Sequence, residues 1–151
     1  MSNYNRIKLE LEKITNYSIP EGTTIVIGYH FKDDLCSNGI KNKWYRVKIN
    51  NVKRNLKPYI NQLKDKNAIY ISLFENGMIL KTKPNLKYEY FFVDNNNFFR
   101  KSLFIKKSFC GSSAAIKPNG ETLIVNSEGS ILNIIINLEN ENWNRFFITS
   151  N

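Results

Sequence analysis

Histidine is nearly absent from this 151-residue chain: His30 is the only one, which rules out a site built from several histidines. Cysteine is scarce too. Cys36 and Cys110 are the two present, and neither belongs to a Cys-x-x-Cys pair, so the sequence offers no frame for structural zinc. With no apolar leader in front of them, they read as free thiols rather than as a bridge. Long apolar runs are missing as well. The longest, from Ile131 to Leu138, is interrupted by Asn133 and Asn137 and falls far short of the roughly 20 residues of a membrane helix. The opening segment MSNYNRIKLELEKI lacks a signal-peptide core, so the expectation is synthesis in the cytoplasm, with release from the cell left open. No phosphate loop, Gly-x-Ser-x-Gly elbow, calcium loop or paired acid/base carboxylates occur.

What is present is aromatic and basic. Ten Phe, eight Tyr and two Trp, within 42% apolar residues, suffice for one hydrophobic core, and the expectation is a single domain over 1–151. The net charge is +9, and nine of the 22 basic residues lie between Lys41 and Lys66 against one acid, Asp65. Such a segment could meet an acidic protein, a nucleic acid or an anionic membrane, or could simply be a solvated face.

Alternation of apolar and polar residues dominates the chain and predicts strands. In RIKLELEK it aligns Ile7, Leu9 and Leu11; in TTIVIGYHF it sets Ile25, Ile27, Tyr29 and Phe31 against Val26, Gly28 and His30; in KWYRVKIN it aligns Tyr45, Val47 and Ile49. AIYISLFENGMILKTK reads as a hairpin about Asn76-Gly77. Strands are also expected in LKYEYFFV, FFRKSLFIKKSF, TLIV and ILNIIINL, and the tail NWNRFFIT is either a strand or a short helix. One helix is expected, around LKPYINQLKDK, where Leu56, Tyr59, Ile60 and Leu63 recur at three and four and Pro58 suits a first turn. The fold class that follows is mainly β: an antiparallel sandwich or open barrel of about ten strands with one short helix.

Few residues suggest chemistry. His30, with Asp33, Asp34 and Cys36 nearby, could form a thiol site, and Cys110 is a second candidate nucleophile. The preferred reading puts His30 on the outer face of a strand, with no catalytic residue, no metal and no cofactor. CGSSAAIKPNG lacks phosphate-loop spacing and reads as a loop with a turn at Pro118-Asn119-Gly120. Basic residues interleaved with rings, as in KWYRVK and FFRKSLFIKK, suit surfaces that bind other molecules, although alternation sends the rings inward and argues against nucleic acid. Candidate partner-binding residues are Arg46, Lys48, Lys53, Arg54 and Lys57 on the basic stretch, and Phe98, Phe99, Phe104 and Phe109 on the aromatic one.

The segments YSIPEGTTIVIGYHF, KWYRVKINN and SLFENGMILKTK, in a Lys/Asn-rich chain of this size, resemble the smallest component of the orfX-type gene cluster that accompanies clostridial botulinum neurotoxins. That resemblance implies a non-enzymatic, neurotoxin-associated accessory protein that forms a hetero-complex with a larger protein of the same cluster. The alternative is a domain that binds nucleic acid or an anionic lipid surface.

Overall fold

The computed structural model describes residues 3–34, 36, 42–82, 87–126 and 130–147. It opens with a helix, α1 (Asn3–Thr15), where alternation predicts a strand. Ile7 and Leu11 satisfy both periods, but Tyr4 and Thr15 extend their line at helical spacing, and these four are the buried residues while Leu9 is 43% exposed. Leu, Glu and Lys, all good helix formers, fill the segment.

Seven strands and five helices follow one another among the described residues. After α1 come β1 (Thr24–His30), β2 (Lys43–Trp44), α2 (Arg46–Asp65), β3 (Ala68–Glu75), β4 (Ile79–Leu80) and β5 (Phe91–Asp94). Then come α3 (Phe98–Ser102), β6 (Ser112–Ile116), β7 (Thr122–Val125), α4 (Ser130–Asn137) and α5 (Asn140–Trp143). The main sheet has the order β5-β3-β1-β6-β7. Strands β1, β3 and β5 are parallel, whereas β6 runs antiparallel to β1 and β7 antiparallel to β6.

The expectation of an antiparallel sandwich or barrel is therefore corrected to a mixed sheet layered with helices. The physical reason lies in burial on both faces. On one face Ile25, Ile27, Tyr29 and Phe31 pack with Ile7 and Leu11 of α1 and with Phe99 and Phe104. On the other, Val26, Tyr70 and Ala115 meet Leu63 of α2, Ile134 of α4 and Trp143. A third cluster joins Trp44, Ile49, Phe74, Met78 and Phe91. Each fully buried Ile, Leu or Phe contributes about 1.5–3 kcal/mol.

Helix α2 is much longer than predicted. It begins at Arg46, so Pro58 lies inside it rather than in its first turn. The segment KWYRVKIN is accordingly a two-residue strand leading into a helix, with Tyr45 and Val47 60% and 73% exposed and Ile49 buried. FFRKSLFIKKSF carries α3, ILNIIINL carries α4, and among the described residues of the tail only Asn142 and Trp143 are helical, as the end of α5. The turn at Asn76-Gly77 exists, with Gly77 at φ +99°, but it makes no hairpin: β4 pairs with β2, not β3. The true hairpin is β6–β7, closed where Lys117 N donates to Glu121 O and Gly120 N to Lys117 O. Leu86, expected to align with Tyr88, Tyr90 and Phe92, lies outside the described residues. Among the described residues no helix is long and apolar enough to cross a membrane.

Candidate active site

Strand polarity brings distant segments together. The parallel strands β1 and β3 end at the same edge of the sheet, and antiparallel β6 starts there, with Tyr29 paired to Ser112. The loop leaving β1 and the turn entering β6 thus converge. Cys36 comes from the first and Cys110 from the second, and they form a disulfide across 74 residues of sequence with their Cα atoms 5.0 Å apart. The expectation of two free thiols is corrected on this point: sequence separation hid a meeting that topology imposes.

Asp34 ties the two segments together. Its Oδ1 accepts from Cys36 N at 3.0 Å and from Cys110 N at 3.3 Å. Asp33, at φ +60°, is held by Asn42, whose Oδ1 accepts from Asp33 N and whose Nδ2 donates to Asp33 Oδ1. On the other segment Cys110 and Gly111 are consecutive left-handed residues, at φ +63° and +85°. Ser108 Oγ donates to Gly111 O and fixes that turn. Gly111 has a second constraint, since a Cβ there would stand 2.6 Å from Tyr29 O.

Cys36 is exposed and Cys110 half-buried. Two clefts adjoin the bridge. One, of about 230 Å³, is lined by Asp33, Asp34, Lys107, Ser108 and Phe109. The other, of about 130 Å³, reaches Cys110, His30, Gly28, Tyr70 and Ser113.

His30 stands in that second cleft, not on an outer face. It does share a side of β1 with Val26 and Gly28, but that side is covered: the imidazole stacks on Phe74 at 4.3 Å and meets Trp44 edge-on at 4.9 Å. Nε2 shares a hydrogen bond with Ser72 Oγ at 3.1 Å. Burial pushes the Tyr70 phenol up to about 12. Burial lowers the His30 imidazole to about 4, with Asp34 opposing the shift and Lys48 reinforcing it. His30 is therefore neutral near pH 7.

This has a measurable consequence. Between about 6.5 and about 4 the unfolded chain binds the proton that folded His30 refuses, so stability is complete above the upper value and is lost as pH falls toward the lower one. The loss from this group reaches up to about 3 kcal/mol. Urea unfolding at pH 7 and pH 4.5 checks it: the wild-type protein is expected to lose more stability than His30→Gln, and equal losses would refute the assignment.

The candidate partner-binding residues scatter. Arg46, Arg54 and Lys57 are exposed on α2, while Lys48 Nζ lies 5.3 Å over the Trp44 ring. Lys53 is ion-paired with Glu89 and sits over Tyr90 and Phe91. Phe99 and Phe104 are fully buried core residues, so they offer nothing to a partner. Phe98 is half-buried under the Arg6 guanidinium. Phe109 is 69% exposed beside the bridge. Sequence reasoning missed Ser72, Gly111 and the tethering role of Asp34. The one available signal was that each cysteine sits at a strand end, and CGSSAAI, read as a loop, in fact contains β6.

No family model matches the chain, and no curated protein matches it. Among solved structures it is similar to the reduced N-terminal domain of PilB from Neisseria meningitidis, at 16% identity over 82% of this chain and 84% of that one, with a TM-score of 0.49. It is also similar to the pneumococcal exposed lipoprotein thioredoxin Etrx1 of Streptococcus pneumoniae, at 10% identity, 79% and 85% coverage and a TM-score of 0.44. A third is a secreted Mycobacterium tuberculosis disulfide oxidoreductase, at 9% identity, 78% and 81% coverage and a TM-score of 0.41. The orfX-type resemblance, and with it the accessory subunit in a hetero-complex, is corrected on the structure itself, where a mixed sheet layered with helices carries a disulfide beyond the carboxyl end of β1. The reading of a non-enzymatic binder, of protein, nucleic acid or lipid, supposed two cysteines that stay apart as free thiols; the Cys36–Cys110 bridge beyond the carboxyl end of β1 removes that premise.

Proposed function

We propose that the protein is a thiol–disulfide oxidoreductase on a thioredoxin-like sheet, with Cys36–Cys110 as its redox centre. The observation that carries this reading is the placement of the bridge. It lies at the carboxyl ends of parallel strands, where open α/β sheets put their sites, with one sulfur on an exposed residue. Cys-x-x-Cys spacing is replaced by a cysteine from each of two converging segments.

The chemistry balances with a dithiol partner. A partner thiolate attacks Cys36 Sγ, the Cys36–Cys110 bond breaks, and Cys110 leaves as a thiolate that takes a proton. The partner's second thiol then displaces Cys36 from the mixed disulfide. Two electrons and two protons pass to the protein, and the partner leaves oxidised. His30 lines the cleft that Cys110 enters, but lowered to about 4 it is too weak a base to hold the Cys110 proton, which passes to solvent in the reverse direction.

Equilibration of the folded protein with graded dithiothreitol tests the reading. Reversible two-electron reduction of the native bridge is expected, with cyclic recovery on reoxidation. A bridge that opens only when the protein is unfolded would be a structural clamp, and the proposal would fall.

A further inference from the structure

The segment leading to Cys110 presents a surface of mixed character. Ile105 and Phe109 are 65% and 69% exposed, unusual for large apolar side chains, and Lys106 and Lys107 between them are exposed as well. Neither lysine enters an ion pair among the described residues, in contrast to Lys8, Lys13, Lys53, Lys66 and Arg100. Lys107 and Phe109 share the larger cleft beside the bridge. Asp33 and Asp34 keep their negative charges in the cleft, Asp34 turned to the two cysteine amides and Asp33 to Asn42. The 105–109 segment itself carries two positive charges and no acid, in a chain of net charge +9, and its apolar groups are uncovered.

We infer that the partner whose thiols exchange with Cys36–Cys110 is a protein segment bearing acidic residues and an aromatic or aliphatic residue next to its cysteine, docked on Ile105, Lys106, Lys107 and Phe109. This rests on the redox reading and names its substrate class. The apolar side chain covers Phe109 and Ile105, the carboxylates meet Lys106 and Lys107, and the thiolate is thereby brought to the sulfur of Cys36, an exposed residue. The mixed disulfide forms there as the Cys110 thiolate departs and is protonated. Charge acts mainly on encounter, and the apolar contact on residence.

The test uses the full-length oxidised protein and three cysteine peptides that share a phenylalanine beside the cysteine and carry flanking Glu, Gln or Lys. Each rate of mixed-disulfide formation is divided by the same peptide's rate with hydroxyethyl disulfide, which removes differences in thiol acidity. At low ionic strength the acidic peptide is expected to react at least about tenfold faster than the basic one. That preference should vanish in 1 M salt, where charges are screened beyond about 3 Å. Joint substitution Lys106→Glu and Lys107→Glu is expected to reverse the order of the peptides, and exchanging the peptide phenylalanine for serine to slow all three. Rates indifferent to peptide charge, with dithiothreitol still opening the bridge, would overturn the docking surface alone. Failure of dithiothreitol to open the native bridge would remove the redox reading and the docking surface together.

Discussion

Cys110→Ser is expected to trap a peptide disulfide as a stable adduct on Cys36, whereas Cys36→Ser is expected to form its adduct on Cys110 at least about tenfold more slowly, a barrier difference of about 1.4 kcal/mol. The asymmetry follows from access. Cys36 is exposed in the loop beyond β1, and Cys110 is half-buried in the cleft it shares with His30. Neither variant can complete a cycle, because resolution of a mixed disulfide needs the second sulfur. Both also lose the cross-link, and for a loop of 74 residues the chain-entropy model puts that loss at about 4 kcal/mol. Since the stability cost is common to the two, a difference in adduct rate reports chemistry and not folding. Intact-mass spectrometry over a time course reads it. Equal rates, or an adduct confined to Cys110, would contradict the assignment of Cys36 as the sulfur that meets the partner.

Gly111→Ala is expected to destabilise the fold severely, and Gly120→Ala only mildly. Both glycines have positive φ, +85° and +93°, and both variants carry the backbone penalty of about 1–3 kcal/mol. The surroundings differ. Around Gly120 nothing lies within 4 Å of a new Cβ, but at Gly111 the methyl group would press on the Tyr29 carbonyl oxygen at 2.6 Å. That oxygen belongs to the backbone of the central strand and cannot swing aside as a side chain can. Overpacking adds about 1–3 kcal/mol, so the two variants should differ by that amount. Urea midpoints measured side by side give the comparison. Similar midpoints would mean that the entry to β6 is looser than its geometry implies.

The alternation read from the sequence is correct in β1, where Ile25, Ile27, Tyr29 and Phe31 do share a face opposite Val26, Gly28 and His30. Its interpretation fails because period two says which side chains share a face, not whether the second face is bare. Burial behind α2 and α4 is a tertiary event, and it turns His30 from a surface residue into a cleft residue. The misreading of α1 has another cause. Ile7 and Leu11 sit at a spacing common to both periods, so two more positions, Tyr4 and Thr15, were needed to decide. The turns fared better, since Asn76-Gly77 and Pro118-Asn119-Gly120 depend on local backbone preferences. Of the site, His30, Asp33, Asp34, Cys36 and Cys110 were recognisable as reactive types. Their convergence was not, because it depends on the antiparallel entry of β6 beside β1.

The bond between Cys36 and Cys110 makes a ring of the middle of the molecule, enclosing β2, α2, β3, β4, β5 and α3. A single peptide-bond cut anywhere on that circuit leaves the fragments covalently joined while the sulfurs stay oxidised, and frees them once an electron pair arrives. Under the redox reading, the same event that discharges the protein also slackens its tether. Its resistance to proteases would then follow the thiol balance of its surroundings.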